Sequence, residues 1–338
     1  MRFTVVGAGA IGGTVGAHLV RAGKTVAFVD VDPDHVRAMN ARGLTIRGFR
    51  ETFTTPARAL VPDELEGPVE ALLLAVKAHH TEAALAPLVS RLAPDGFVVS
   101  LQNGLCERVI SHLVGEERTV GAFVNFGADY LEPGLIHFGG MGAFRIGELD
   151  GASTPRVRAL RDALSAWGPV EVTDNIWGFL WSKMGYANMA FATATVDADA
   201  GEVIDHCRPL MAALMAEVFE VSEREGVRLE PFDHIDPAVY YPRTRPDAEV
   251  AASFEAMVHP AVRSEKRRTG VWRDLAVRHR PTEVDAQIGL CAAIGARHGL
   301  AMPLTHRLVA IVHAIERGER PMAWANVEEL ERLRRSAA

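Results

Sequence analysis

Gly7-Ala8-Gly9-Ala10-Ile11-Gly12 has the residue types and spacing to hold a pyrophosphate. In such a turn the first glycine lets the chain reverse, the second lets the backbone approach the phosphates, and the third lets the next helix pack on the strand before it. The helix N-terminus, at Ala10 and Ile11 between Gly9 and Gly12, then presents unpaired N–H groups to the negative charge. Asp30 stands 18 residues after Gly12, at the end of the next apolar run. A carboxylate there accepts hydrogen bonds from the ribose hydroxyls of NAD and repels a 2′-phosphate. Asp30-Val31-Asp32-Pro33 also reads as a helix-capping turn, a role that suits Asp32 better, and Arg37 is near enough to reach a phosphate. The expected cofactor is NAD(P), with Asp30 favouring NAD.

Lys77 closes the apolar run Ala71–Val76, and Asn103, within Gln102-Asn103-Gly104, closes Phe97–Leu101. Carboxyl ends of parallel strands face the ligand crevice, so both are candidate contacts for cofactor ribose or substrate. A solvated strand-end lysine and an ordinary Asn-Gly turn would look the same. Lys183 lies on a helix whose positions 176, 180, 183, 187 and 191 read Ile, Leu, Lys, Ala, Phe. A lone ammonium on an apolar stripe is costly unless it is paired, snorkels to water, or faces a crevice as a proton donor. Glu283 follows Pro281 at a helix start, where a carboxylate complements the helix dipole without any further role. His79-His80 with Glu82 lacks metal-ligand spacing, neither G-x-S-x-G nor HExxH occurs, and no metal is expected. Lys266-Arg267-Arg268 is either a solvated face or a lure for an anionic substrate.

These residues need a strand–turn–helix–strand unit to position them. Phe3–Val6 is a short valine-rich strand, a helix runs from the glycine turn to Arg21 with Gly23 as its C-cap, and Thr25–Val29 is the second strand. Strands follow at Ala71–Val76, Phe97–Leu101 and Thr119–Phe123, with helices near Thr81–Leu92 and Leu105–Val114 between them. Fully apolar strands alternating with helices predict a parallel sheet covered on both faces. Leu135–Phe138 and Ala143–Gly147 read as a hairpin around Gly139-Gly140, then a helix over Ser153–Trp167 and a last strand at Val170–Thr173. Beyond Asn175 only helices are expected, near Ile176–Val196, Arg208–Glu225, Thr282–His298 and Leu304–Arg317, with a long loop over Glu230–Pro246. The fold class is thus α/β, a Rossmann-type doubly wound, mostly parallel sheet followed by an all-helical C-terminal domain. The predicted domains are 1–173, for the dinucleotide, and 174–338, helical, for substrate and dimerisation.

Composition agrees. The chain has 338 residues, 48% hydrophobic and 23% charged, enough for two globular domains. A net charge of −7 argues against nucleic acid as the main partner. Its three dispersed cysteines imply no disulfide framework and a reducing compartment. The uncharged run Phe3–Val20 imitates a signal peptide or membrane span, but five glycines in it suit a phosphate turn better, so a cytoplasmic location without membrane contact is expected.

Taken together, the glycine turn, Ala75-Val76-Lys77-Ala78, Leu101-Gln102-Asn103-Gly104, Trp181-Ser182-Lys183 and Arg280-Pro281-Thr282-Glu283-Val284-Asp285 resemble the ketopantoate reductases, in that family's order and over nearly the whole chain. The resemblance implies reduction of 2-dehydropantoate to pantoate with NADPH, in pantothenate biosynthesis. It also implies Lys183 as general acid, Glu283 as its carboxylate partner holding the substrate hydroxyl, and Lys77 and Asn103 as contacts of nicotinamide ribose and substrate. The chain departs from the family where amides are usual, at Ala187 (with Asn188 next to it) and Phe191, and where a serine is usual, near Gly270, leaving Thr269 as the hydroxyl. Asn103, Lys183, Asn188, Thr269 and Glu283 are therefore the expected substrate contacts, and a small 2-oxo acid the expected substrate of a homodimer. The alternatives are a related dehydrogenase of another 2-oxo or 3-hydroxy acid, and a non-catalytic NAD(H)-binding sensor.

Overall fold

The structure, a computed structural model, describes residues 1–49, 51–263 and 267–336. The chain divides into two compact units, Met1–Ile176 and Trp177–Ala338.

The first unit is built on an eight-stranded sheet, and its fold class is the expected one. Its strands are β1 (Phe3–Val6), β2 (Val26–Val29), β5 (Arg58–Leu60), β6 (Val69–Leu74), β7 (Leu92–Ser100), β8 (Thr119–Val124), β11 (Phe144–Glu148) and β12 (Glu171–Val172). Their order is β12-β11-β8-β7-β6-β1-β2-β5. All are parallel from β5 to β8; β11 pairs antiparallel with β8, and β12 runs parallel to β11. The chain leaves β1 towards β2 on one side and returns to β6 on the other, so the order reverses beside β1. Helices α1 (Ala10–Arg21), α2 (Pro33–Arg42), α3 (Thr81–Leu85), α4 (Glu107–Val114) and α5 (Pro155–Leu164) complete the unit. The helix expected over Thr81–Leu92 stops at Leu85 and continues as a 3-10 turn over Ala86–Arg91, because Pro87 has no N–H to donate.

A second sheet was not expected. Strands β3 (Leu44–Gly48), β4 (Thr52–Thr55), β9 (Gly127–Glu132) and β10 (Leu135–Gly140) associate in the order β4-β3-β10-β9. The predicted hairpin is corrected here: β10 pairs with β9 through a turn at Gly134, while Phe144–Glu148 joins the main sheet beside β8. Gly134 takes φ +81°, the left-handed conformation the turn requires. Helix α1 lies between the two sheets. A Cβ at Gly16 would collide with the Phe28 ring of β2, and one at Gly13 with Ile136 of β10. The glycines of the uncharged N-terminal run thus serve packing on both faces of α1 as well as the turn before it.

The second unit is helical among the described residues, apart from a single bridge between Phe232 and Ile235. It contains α6 (from Ile176 to Ala194), α7 (Ala200–His206), α8 (Arg208–Arg224), α9 (Pro237–Tyr240), α10 (Asp247–Arg263), α11 (Gly270–Ala276), a π turn (Asp285–Gly289), α12 (Leu290–Arg297), α13 (Pro303–Glu316) and α14 (Trp324–Ser336). Helix α6 is buried over most of its circumference, including Trp181, Ser182, Met184 and Phe191. A Cβ at Gly185 would enter the Phe219 ring, so α6 and α8 pack closely there. Among the described residues no helix is long and apolar enough to cross a membrane.

Candidate active site

The glycine turn sits where β1 ends, next to the reversal of strand order. Gly7 has φ +90°, and a Cβ there would lie 2.8 Å from the backbone nitrogen of Val76. At Gly12 a Cβ would lie 2.1 Å from the Gly7 carbonyl oxygen and 2.8 Å from the Ala75 Cβ. Gly9 differs from both: a Cβ there would meet no atom within 4 Å. Two glycines are therefore demanded by the protein's own packing, while the third leaves open space at the N-cap of α1. Ala10 and Ile11 form the first turn of that helix, where backbone N–H groups have no intrahelical acceptor. This is a surface that fits a pyrophosphate.

Ala8, inside the turn, is fixed at both backbone groups. Its N–H donates to Asp30 Oδ2 at 2.7 Å. Its carbonyl meets Nε2 of His35 at 2.9 Å. The other ring nitrogen, Nδ1, receives the backbone N–H of Gly134 at 3.0 Å, so it must carry a lone pair and the proton must sit on Nε2. His35 is 1% exposed and stacks edge-on against Tyr130 of β9. It ties the glycine turn to the β9–β10 hairpin, and no motif marks it in the sequence. The visible signal was Asp32, which caps α2 by accepting from the N–H of Asp34 and of His35 and so sets the ring's place on the first turn.

Asp30 also accepts from Asp32 N–H at 3.0 Å, so the capping turn and the glycine turn share one carboxylate. Arg37 pairs with Asp34 at the surface instead of turning towards Asp30. Burial, then the Asp32 carboxylate, push the Tyr130 hydroxyl well above its ordinary pKa, with Asp30 and Asp34 adding to the effect. The end of β2 is electronegative.

Lys77 follows β6, the neighbour of β1, and Asn103 follows β7, the next strand beyond it. A residue between them in role, Gln102, was not singled out from the sequence. Its amide donates to the Val76 carbonyl at 3.0 Å and to Thr81 Oγ1 at 2.8 Å, locking the two strand ends together. The carboxyl edge thus gathers Gly7–Gly12, Asp30, Lys77 and Asn103.

In the helical unit, Lys183 is half-buried on α6, and Tyr186, Ala187 and Ala190 share its partly exposed side. Leu180 and Phe191 of the predicted stripe are buried. Ser182 beside Lys183 donates to the Gly178 carbonyl and accepts the N–H of Glu230, fixing the helix against the following loop. Glu283 is 7% exposed and stands just before the π turn. Arg278 and Arg280 both reach Asp274, and the Arg280 N–H donates to the Asp274 carbonyl, which folds the segment leading to Glu283.

One expected substrate contact is placed differently. Asn188 is fully buried, and its amide donates to the Leu214 carbonyl and to Thr305 Oγ1, both at 2.8 Å. It is a core residue, turned to the helices packed behind α6, and is corrected from the substrate set. Thr269 caps α11 by accepting the Trp272 N–H at 3.1 Å, which uses one lone pair of its hydroxyl and leaves the O–H able to donate. Of the basic run, Lys266 lies outside the described residues. Arg267 pairs with Asp199, and Arg268 with Asp197 and Asp199 while covering the Trp272 ring, so neither is an uncompensated lure for anions.

With this geometry in view, comparison with known proteins is decisive on one point. The description "Ketopantoate reductase PanE/ApbA" matches residues 3–151, and "Ketopantoate reductase PanE/ApbA C terminal" matches residues 175–316. The chain belongs to the ketopantoate reductase family. A 2-dehydropantoate 2-reductase of Mesorhizobium japonicum is 27% identical over 350 residues, covering 94% of this chain and 99% of its own. The PanE/ApbA family ketopantoate reductase of Ralstonia eutropha has TM-score 0.80 at 26% identity, covering 94% of this chain and 99% of that one. D-mandelate dehydrogenase, solved in complex with NADH, shares the fold with TM-score 0.79 at 24% identity over 94% of this chain and 99% of that one. As a ketopantoate reductase family member, the chain is an oxidoreductase that uses a nicotinamide dinucleotide.

Proposed function

We propose that this chain reduces the keto group of a small 2-oxo acid, 2-dehydropantoate to pantoate in the first instance, with Lys183 as general acid. The bound nicotinamide supplies the hydride. Gly7–Gly12, with the first-turn N–H groups at Ala10 and Ile11, would hold the pyrophosphate, and Asp30 the adenosine ribose. Lys77 and Asn103 would meet nicotinamide ribose and substrate. Lys183 would polarise the keto oxygen and protonate it as the alkoxide forms, an effect of about 10²–10⁴-fold. Glu283 would orient Lys183 or a substrate hydroxyl, and the Thr269 O–H is left to donate to a substrate oxygen. Supporting this most directly is the burial of Glu283 in a helical unit that also keeps Lys183 half-buried on a helix with no other charged residue.

The electronegative end of β2 favours NADH over NADPH, since a 2′-phosphate would meet the carboxylates of Asp30, Asp32 and Asp34. One observation favours a second substrate reading. The side of α6 next to Lys183 carries Tyr186, Ala187 and Ala190, which offer no amide to a polar substrate. A 2-oxo acid with an apolar side chain would suit that surface. NADH and NADPH oxidation against ketopantoate and a panel of alkyl and aryl 2-oxo acids tests both readings. Tight NADH binding with no oxidation by any of them would instead mark a sensor.

A further inference from the structure

Thr282, Asp285, His313 and Glu316 form a hydrogen-bonded frame around the Glu283 segment. Glu316, at the end of α13, accepts at Oε1 from both the backbone N–H and the hydroxyl of Thr282, each at 2.7 Å. Its Oε2 faces His313 Nδ1 at 3.0 Å, and His313 Nε2 faces Asp285 Oδ1 at 2.9 Å. Thr282 and Asp285 bracket Glu283 and Val284, so the frame grips the chain on both sides of the carboxylate. The segment has reason to need it. The turn that follows is a π turn, closed by the Gly289 N–H to the Val284 carbonyl at 2.8 Å, and such turns are rare and found mostly at functional sites.

Both imidazole nitrogens of His313 meet carboxylate oxygens, which only accept. A neutral ring has one N–H and would turn a lone pair on the second carboxylate; an imidazolium satisfies both. We infer that His313, as an imidazolium, is a positioning residue that fixes Glu283 by holding Asp285 and, through Glu316, Thr282. This rests on the proposed role of Glu283. Partial burial works against the charge, but the hydrogen bonds to Glu316 and Asp285 outweigh it and hold the His313 pKa above its ordinary 6.5. Three charged groups on α13 and the elements around it have partners of their own. Glu217 of α8 accepts from Leu304 and Thr305, Glu329 of α14 holds Arg307 and Arg320, and Arg317 pairs with Glu319.

The test is the pH profile of kcat/KM, from about pH 6 to 9 across the histidine range. It is measured with NADH and ketopantoate on the full chain and on His313→Gln, Asp285→Asn and Glu283→Gln. His313→Gln should lose about tenfold at the acid end, the worth of one charge-assisted hydrogen bond, and lose the alkaline decline that His313 causes. Asp285→Asn removes one of the two carboxylates and should move that decline to lower pH, a response that a merely structural role would not give. If Glu283→Gln is strongly impaired while His313→Gln and Asp285→Asn overlay the wild type at every pH, the inference is overturned and the role of Glu283 stands. If Glu283→Gln keeps wild-type activity, the role of Glu283 fails and the inference with it. Should His313→Gln not fold, the Asp285→Asn shift decides alone, and an unmoved decline overturns the inference.

Discussion

His35 donates Nε2–H to the carbonyl of Ala8 at 2.9 Å, from a ring whose other nitrogen is already occupied by the N–H of Gly134. One buried, neutral histidine therefore sets the glycine turn against the β9–β10 hairpin, while Asp30 holds the same residue by its N–H. The turn is shaped before any cofactor arrives, and preorganisation of this kind lowers the ordering cost of binding.

Replacing His35 should loosen the turn. His35→Ala leaves the Ala8 carbonyl and the Gly134 N–H without their partner, and should destabilise the fold by about 1–3 kcal/mol. NADH affinity should fall as well, read by fluorescence titration alongside a thermal melt. A melt that drops with unchanged NADH Kd would mean that the histidine only supports the hairpin.

Gly9 and Gly12 should respond oppositely to the same added methyl. Gly12→Ala drives a Cβ into backbone atoms of Gly7 and should fold poorly. Gly9→Ala meets nothing in the protein, and should keep its Tm yet weaken dinucleotide binding severalfold or more. Wild-type NADH affinity in a well-folded Gly9→Ala would remove the pyrophosphate from this turn.

Cofactor choice should follow the carboxylates at the end of β2. Wild type should show the higher kcat/KM with NADH. Asp30→Ser combined with Val31→Arg, at a position 81% exposed, should move preference towards NADPH by removing a repulsion and adding a phosphate partner. An NADPH preference in the unaltered chain would contradict this electrostatic account.

The same frame around Glu283 predicts a pH-dependent stability. The folded pKa of His313 is raised above 6.5, so its contribution is fully present below that value and is lost as pH rises through the folded pKa. The Tm gap between wild type and His313→Gln should therefore be widest under mildly acidic conditions and close towards alkaline pH. A gap constant with pH would mean that the ring is held by packing and not by charge.

Legibility from sequence followed locality. The glycine turn, Asp30 and the apolar strands announce themselves within a few residues, because turn geometry and strand burial constrain neighbouring positions. The second sheet does not, since β3 and β10 pair across some 90 residues and β4 is a threonine-rich edge with little apolar signal. Gly139-Gly140 suggested a hairpin turn, yet the chain reverses at Gly134. Both sites have the right residue type, and only pairing with β9 distinguishes them. Asn188 was misplaced because two successive helical positions point about 100° apart, and its direction depends on α8 and α13 behind it. His35 and His313 carried no motif at all; both partners of His35, and Asp285 for His313, lie in other elements of the chain.

The central claim is tested most directly by steady-state NADH oxidation with ketopantoate, comparing wild type with Lys183→Ala, once a melt shows that the variant is folded. A lysine acting as general acid predicts measurable wild-type turnover and a kcat lower by about 10²–10⁴-fold in the variant. A loss of less than about tenfold would contradict it, because the proton would then be reaching the alkoxide by another route.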